Sequence, residues 1–140
     1  MSTQIYISDY QLRLDSIGLS GRLSGTGTVR LYKNAWAPTN NVLITAFSEC
    51  TFAGYAPVSL ADKSIGTFQL AIGLWECRFN FCYFTVTGGP SQFINGWYIT
   101  DVANNVLAAN PYQTPILANS GLTLPVNVKV QTRGLNVACP

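Results

Sequence analysis

The sequence contains no histidine. Histidine is the commonest general base, so serine–histidine and cysteine–histidine catalysis have no residue to run on. It is also the usual nitrogen ligand of zinc. That leaves Cys50, Cys77, Cys82 and Cys139, whose Cys77-x4-Cys82 spacing matches no familiar ligand pair. On one extended strand, Cys77 and Cys82 would point to opposite faces. The cysteines are expected as buried small apolar residues. The alternative is one disulfide between separate strands.

Charge is equally scarce. Only 10% of residues are charged, against roughly 25% in ordinary soluble domains. The surface must therefore be made of Asn, Thr, Ser, Gln and Gly. Such a surface is either wet and neutral or buried against copies of itself, which suits a subunit with large contacts. The net charge is +2, and the basic residues are scattered from Arg13 to Arg133 without a run of three. Phosphate capture needs clustered positives, so no nucleic-acid partner is expected.

Long apolar runs are missing too. No stretch reaches the 18 or so residues of a membrane span, and the first ten residues lack the basic start and apolar core of a signal peptide. The chain is expected to be made in the cytoplasm, with no membrane partner. Gly25-Thr26-Gly27 lacks the third glycine of a phosphate-binding loop. The carboxylates Asp9, Asp15, Glu49, Asp62, Glu76 and Asp101 sit in no recognisable motif, and each is expected to be solvated or capping. No catalytic residue, cofactor or metal site is expected.

What the sequence does contain is β-strand pattern. Thr28–Lys33 alternates, with Val29 and Leu31 on one face. Thr67–Ile72 alternates, with Phe68, Leu70 and Ile72 together. Trp75–Thr87 is the densest aromatic and β-branched run, read as one strand up to Gly88-Gly89-Pro90. Phe93–Asp101 and Val106–Asn110 form a hairpin across Asn104-Asn105. Leu122–Thr132 is the last strand, with Pro125 fitting an edge or strand start. Residues 4–14 read as an N-terminal strand or arm. The Gly/Ser-rich stretch 16–27 reads as a mobile hinge or a long surface loop.

Seven or eight short strands with frequent turn signals predict an all-β fold. The expected architecture is a single antiparallel β-sandwich, jelly-roll-like, with at most one short helical turn near 45–50. An N-terminal arm or strand at 1–25 precedes a sandwich domain at 26–140. Partner contact is expected from that arm and from loops at 34–41 and 110–120. The candidate contact residues are Tyr6, Tyr10, Arg13, Trp36 and Tyr112. Trp75 and Trp97 lie in strand patterns and are expected in the core, whereas Trp36 is free to touch a ligand or a neighbour.

One segment carries a resemblance. Val29-Arg-Leu-Tyr-Lys-Asn34, then Pro38-Thr39, then Phe47-Ser-Glu-Cys-Thr-Phe-Ala-Gly-Tyr-Ala56 resembles small structural proteins of tailed bacteriophages. Gly96-Trp-Tyr-Ile-Thr-Asp101 with its Asn hairpin is similar to the same group. The resemblance covers about half the chain. It implies a virion component such as a capsid decoration or cement protein, on the capsid surface, often a homotrimer, bridging the major capsid protein. Many weak contacts across a shell add through effective concentration. The alternative is a tail- or fibre-associated carbohydrate-binding module, with Trp36 or Tyr55 stacking on a glycan.

Overall fold

A computed structural model of the chain describes residues 3–5, 8–35, 38, 43–133 and 137–139, with 3–5, 133 and 137–139 described by backbone alone. The fold is mostly β, with several antiparallel sheets and, among the described residues, one α-helix. The helix, α1 (Asp9–Thr26), is the main departure from expectation. Residues 9–26 form neither a strand, an arm nor a glycine-rich loop. The helix starts where Ser8 accepts the Gln11 backbone N–H at 3.1 Å, a cap that meets one orphan donor of the first turn. Its inward stripe is Leu12, Ser16, Ser20 and Leu23, all buried.

Ten of the strands are β1 (Thr3–Ile5), β2 (Thr28–Tyr32), β3 (Val58–Ser59), β4 (Ser64–Ala71), β5 (Leu74–Phe79), β6 (Cys82–Thr85), β7 (Phe93–Thr100), β8 (Val106–Leu117), β9 (Thr123–Val126) and β10 (Lys129–Arg133). A further strand, β11 (Val137–Cys139), pairs with β1. The largest sheet has the order β3-β2-β7-β8, and a three-stranded sheet the order β10-β5-β4. β6 and β9 pair separately. A 3-10 turn at Ile44–Ala46 is the short helical piece expected near 45–50.

The aromatic run at 75–87 is two strands, not one. β5 pairs with β10, with Arg78 opposite Lys129, and β6 pairs with β9, with Cys82 opposite Val126. Between those pairs one side advances from 78 to 82 and the other from 129 to 126. The first side therefore holds one extra residue, the signature of a bulge. The extra residue flips the phase of alternation. Cys77 and Phe79 point into the core before it, and Cys82, Phe84 and Val86 after it. Phe81 and Tyr83, which unbroken alternation along one strand would put on the Cys77 face, are exposed. Both cysteines thus enter the same core, and Cys50, Cys77 and Cys82 are free and buried.

The expected last strand at 122–132 is likewise β9 and β10, bent at Asn127-Val128. The expected loop at 110–120 is largely strand: β8 runs through Pro111 and Pro115 to Leu117. Proline cannot donate to a ladder, and β8 tolerates two because it is an edge strand. At its start, Asp101 accepts the backbone N–H groups of Ala103 and Asn105, each at 2.9 Å. This side-chain turn lets Asn104 adopt φ 63°.

One core cluster draws on both main sheets. Val29, Leu31, Trp97 and Ile99 come from the four-stranded sheet, and Cys77 and Phe79 from the three-stranded one. Cys82, Phe84, Leu124 and Val126 come from the β6–β9 pair. α1 lies against β4, β5 and β10 and contributes Leu23. Its N-terminal end is pinned by Asp9. That carboxylate accepts from the Gly73 N–H at 2.7 Å and from Trp75 Nε1 at 3.0 Å.

Candidate functional site

Three features of the surface and near-surface bear on function. The first is a polar hub beside β2. Arg30 projects from β2, and its guanidinium donates to both Glu49 oxygens, at 3.3 and 3.1 Å, and to Thr100 Oγ1 at 3.0 Å. Tyr55 donates its O–H to Glu49 Oε2 and accepts the Leu31 N–H at 3.1 Å. The phenol thereby fills a gap on the side of β2 away from β7. β3 pairs with Thr28 and Val29, and Glu49 bridges to Tyr32. Burial, then the bond to Glu49, pushes the Tyr55 phenol far above its ordinary value. Tyr98 is pushed up to about 12 by burial, with the Glu49 charge adding. These shifts oppose ionisation, so the hub fastens residues 48–55 onto the sheet and offers no proton at neutral pH.

Beside it the outer face of the same sheet is sealed by aromatics. Phe47 stacks on Tyr98 at 4.1 Å between ring centroids and meets Tyr32 edge-on at 5.1 Å. Gly96 permits this. A Cβ there would lie 2.6 Å from the Tyr32 ring and 2.4 Å from the Asn110 carbonyl oxygen.

The second feature is a cleft of about 340 Å³ between β8 and β10, the edge strands of the two main sheets. Trp97 forms its floor, with Asn110, Asn127, Lys129 and Gln131 at the rim. An aromatic floor with amide and ammonium donors has the chemistry to meet a sugar ring. Trp97 is only 6% exposed, so stacking there is shallow.

The third feature is apolar surface. β4, an edge strand, leaves Ile65, Phe68 and Leu70 exposed, and the adjoining turn leaves Ile72 91% exposed. Arg78 covers part of Phe68, its guanidinium 4.5 Å from the ring centroid. Phe81 and Tyr83 form a second patch, their rings 6.2 Å apart. A third lies along the outer face of α1, where Tyr10, Leu14 and Ile17 are exposed.

The expected contact residues fall in different places. Tyr10 is in the first turn of α1 and exposed. Arg13, also on α1, lies with its guanidinium 5.9 Å from the Trp75 ring centroid. Tyr112 is half-buried on β8, its phenol pushed up to about 12 by burial. Tyr6 and Trp36 lie outside the described residues. Tyr10 and Arg13 thus share an element, and Tyr112 stands apart on a different sheet. The alternation at 67–72 put Phe68, Leu70 and Ile72 on one face without showing that this face stays in solvent, Ile65 fell outside every pattern, and Leu14 and Ile17 lay in segments read as an arm and a loop.

Among the described residues no group of three or more His, Cys, Asp or Glu is placed to hold a metal ion. No helix among them is long and apolar enough to cross a membrane. No protein-family model, curated protein or solved structure matches the chain.

Proposed function

We propose that the chain is a non-enzymatic structural subunit of a virion, of the capsid cement or decoration kind. It sits on the capsid surface as a homo-oligomer and stabilises the shell by bridging major capsid subunits. The observation that carries this reading is the row of large apolar side chains left in solvent on edge strand β4 and its turn: Ile65, Phe68, Leu70 and Ile72. Exposed apolar residues on an edge strand favour association, and soluble monomers avoid them. The low charge and the phage-like segment at 29–56 support the same reading. So does a core shared between sheets, which fits a β-sandwich; jelly-roll winding is the finer form of that proposal. The test is co-sedimentation of the purified chain with shells assembled from the major capsid protein of the same genome. Saturable binding that raises the shells' melting temperature is expected. No binding at high chain concentration overturns the reading.

The cleft at Trp97 favours one second reading, a tail- or fibre-associated carbohydrate-binding module. A glycan array probed with the wild-type chain and with Lys129→Ala separates the two. Glycan binding lost in the variant supports this reading, and an empty array removes it.

A further inference from the structure

The outer face of α1 is the reverse of what a solvent-facing helix shows. Such a face is ordinarily polar or charged. Here positions 10, 14, 17, 18, 21 and 25 follow one another along the side opposite the buried Leu12, Ser16 and Leu23. They are Tyr10, Leu14, Ile17, Gly18, Gly21 and Gly25. None is charged. Tyr10 is 68% exposed, Leu14 42% and Ile17 45%.

The glycines supply an independent observation. A Cβ added at Gly18, Gly21 or Gly25 would meet nothing within 4 Å, and none of the three has a positive φ. Neither backbone conformation nor packing inside the chain requires glycine there. Each nevertheless weakens the helix relative to alanine. The reason for them therefore lies outside the chain, in something that approaches the helix backbone closely.

We propose that α1 is a self-recognition element that pairs antiparallel with α1 of a second copy, across a two-fold axis near Ile17 and Gly18. The stripe is complementary to itself in that arrangement. Its N-terminal half carries the bulky side chains and its C-terminal half the glycines. Reversing one copy sets Tyr10 opposite the partner's Gly25, Leu14 opposite the partner's Gly21, and Ile17 opposite the partner's Gly18. Side chains then enter the space that missing side chains leave, as ridges enter grooves in close helix packing.

Charge agrees with shape. Asp15 and Arg22 lie on the same flank of the stripe, and an antiparallel pair sets that flank against itself. Asp15 of one copy then lies within two residues of level with the partner's Arg22. Arg22 is 59% exposed, and its 3.4 Å contact to Asp101 leaves donors free to reach it. A parallel pair would instead set Leu14 against Leu14 and leave the glycines facing each other across a gap. One helix of about 27 Å buries less than a standard interface, so the dimer exchanges reversibly. This inference goes beyond the shell-binding reading and does not depend on it.

Sedimentation velocity of the full-length chain over a concentration series is the test. A monomer–dimer equilibrium is expected. Leu14→Arg and Gly21→Leu should each weaken it at least tenfold, with circular dichroism unchanged. Gly21→Ala guards against misfolding: it should raise the melting temperature by about 2 °C while still weakening the dimer. Mixed Leu14→Cys and Gly21→Cys chains should form an intermolecular 14–21 disulfide faster than Leu14→Cys forms a 14–14 disulfide. A chain that is monomeric throughout overturns the proposal. So does an oligomer indifferent to Leu14→Arg, a trimer, or a dominant 14–14 cross-link.

Discussion

Two segments of this chain are laid over sheets, and they finish differently. Residues 44–50 cover the outer face of the four-stranded sheet. Phe47 stacks on Tyr98, Glu49 engages Arg30 and Tyr55, and the apolar surface beneath is sealed. α1 covers the three-stranded sheet equally well on its inner side, but it presents a second apolar stripe to solvent. A segment whose task ends with the fold buries what is apolar and turns polar groups outward. A segment with apolar surface on both sides leaves one of them open, which is the surface the pairing proposed for α1 would cover. Glycine marks the contrast: the sealed region needs Gly96 because no Cβ fits there, whereas Gly21 on α1 faces open space.

The largest effect expected is alkaline failure of the sealed region. Tyr98 and Cys50 are each pushed up to about 12, chiefly by burial. Their folded-state values lie above the unfolded ones. The stability they carry is therefore whole below the ordinary values of about 9 to 10 and lost as pH rises towards 12. Urea midpoints measured from pH 8 upward should fall steeply above pH 10, and a flat profile would break the contrast. Next in size, Phe47→Ala should cost about 3–4 kcal/mol by removing a buried stacked ring. An equilibrium urea titration checks it, and a loss below about 1 kcal/mol would show the seal to be superficial.

Gly96→Ala and Gly21→Ala sharpen the comparison because the same substitution should change sign. At Gly96 the new methyl meets a carbonyl oxygen and the Tyr32 ring, so a loss of about 1–3 kcal/mol is expected. At Gly21 a gain of about 0.5–1 kcal/mol is expected for the monomer. Thermal melts at low concentration measure both. Leu14→Ser should give the smallest change to the monomer, within about 0.5 kcal/mol, because its side chain is exposed.

Much of the β structure was legible. Thr28–Tyr32, the hairpin at Asn104-Asn105 and the β9 pattern follow period-two alternation, which depends only on one buried face. The helix was not legible, for reasons visible in its residues. Gly18, Gly21 and Gly25 with Ser16, Ser20 and Ser24 imitate a flexible linker, and apolar residues on both faces erase the periodicity that announces a helix. One signal was available: Ser8-x-x-Gln11 is a capping-box pattern, followed by Leu12, Leu19 and Leu23 at helical spacing. The bulge near Asn80 was also invisible, because an extra residue is apparent only once the partner strand is known. Of the expected contact residues, Tyr10 lies on exposed surface because it belongs to the unsealed helix. Tyr112 lies in an edge strand that the prolines had disguised as a loop.

The bulge between β5 and β6 has a mechanical side. β5 with β10, and β6 with β9, form one two-stranded ribbon bent where Phe79 N–H donates to the Val128 carbonyl at 3.1 Å. The ribbon runs unbroken from the three-stranded sheet into the β6–β9 pair. A pull applied to one end is carried through the bend by continuous covalent chain on both sides. Moving the β6–β9 pair relative to β5 and β10 would require changing the backbone at the bend, because both strands of the ribbon continue through it. A chain braced in this way transmits load between its two ends as a strap does.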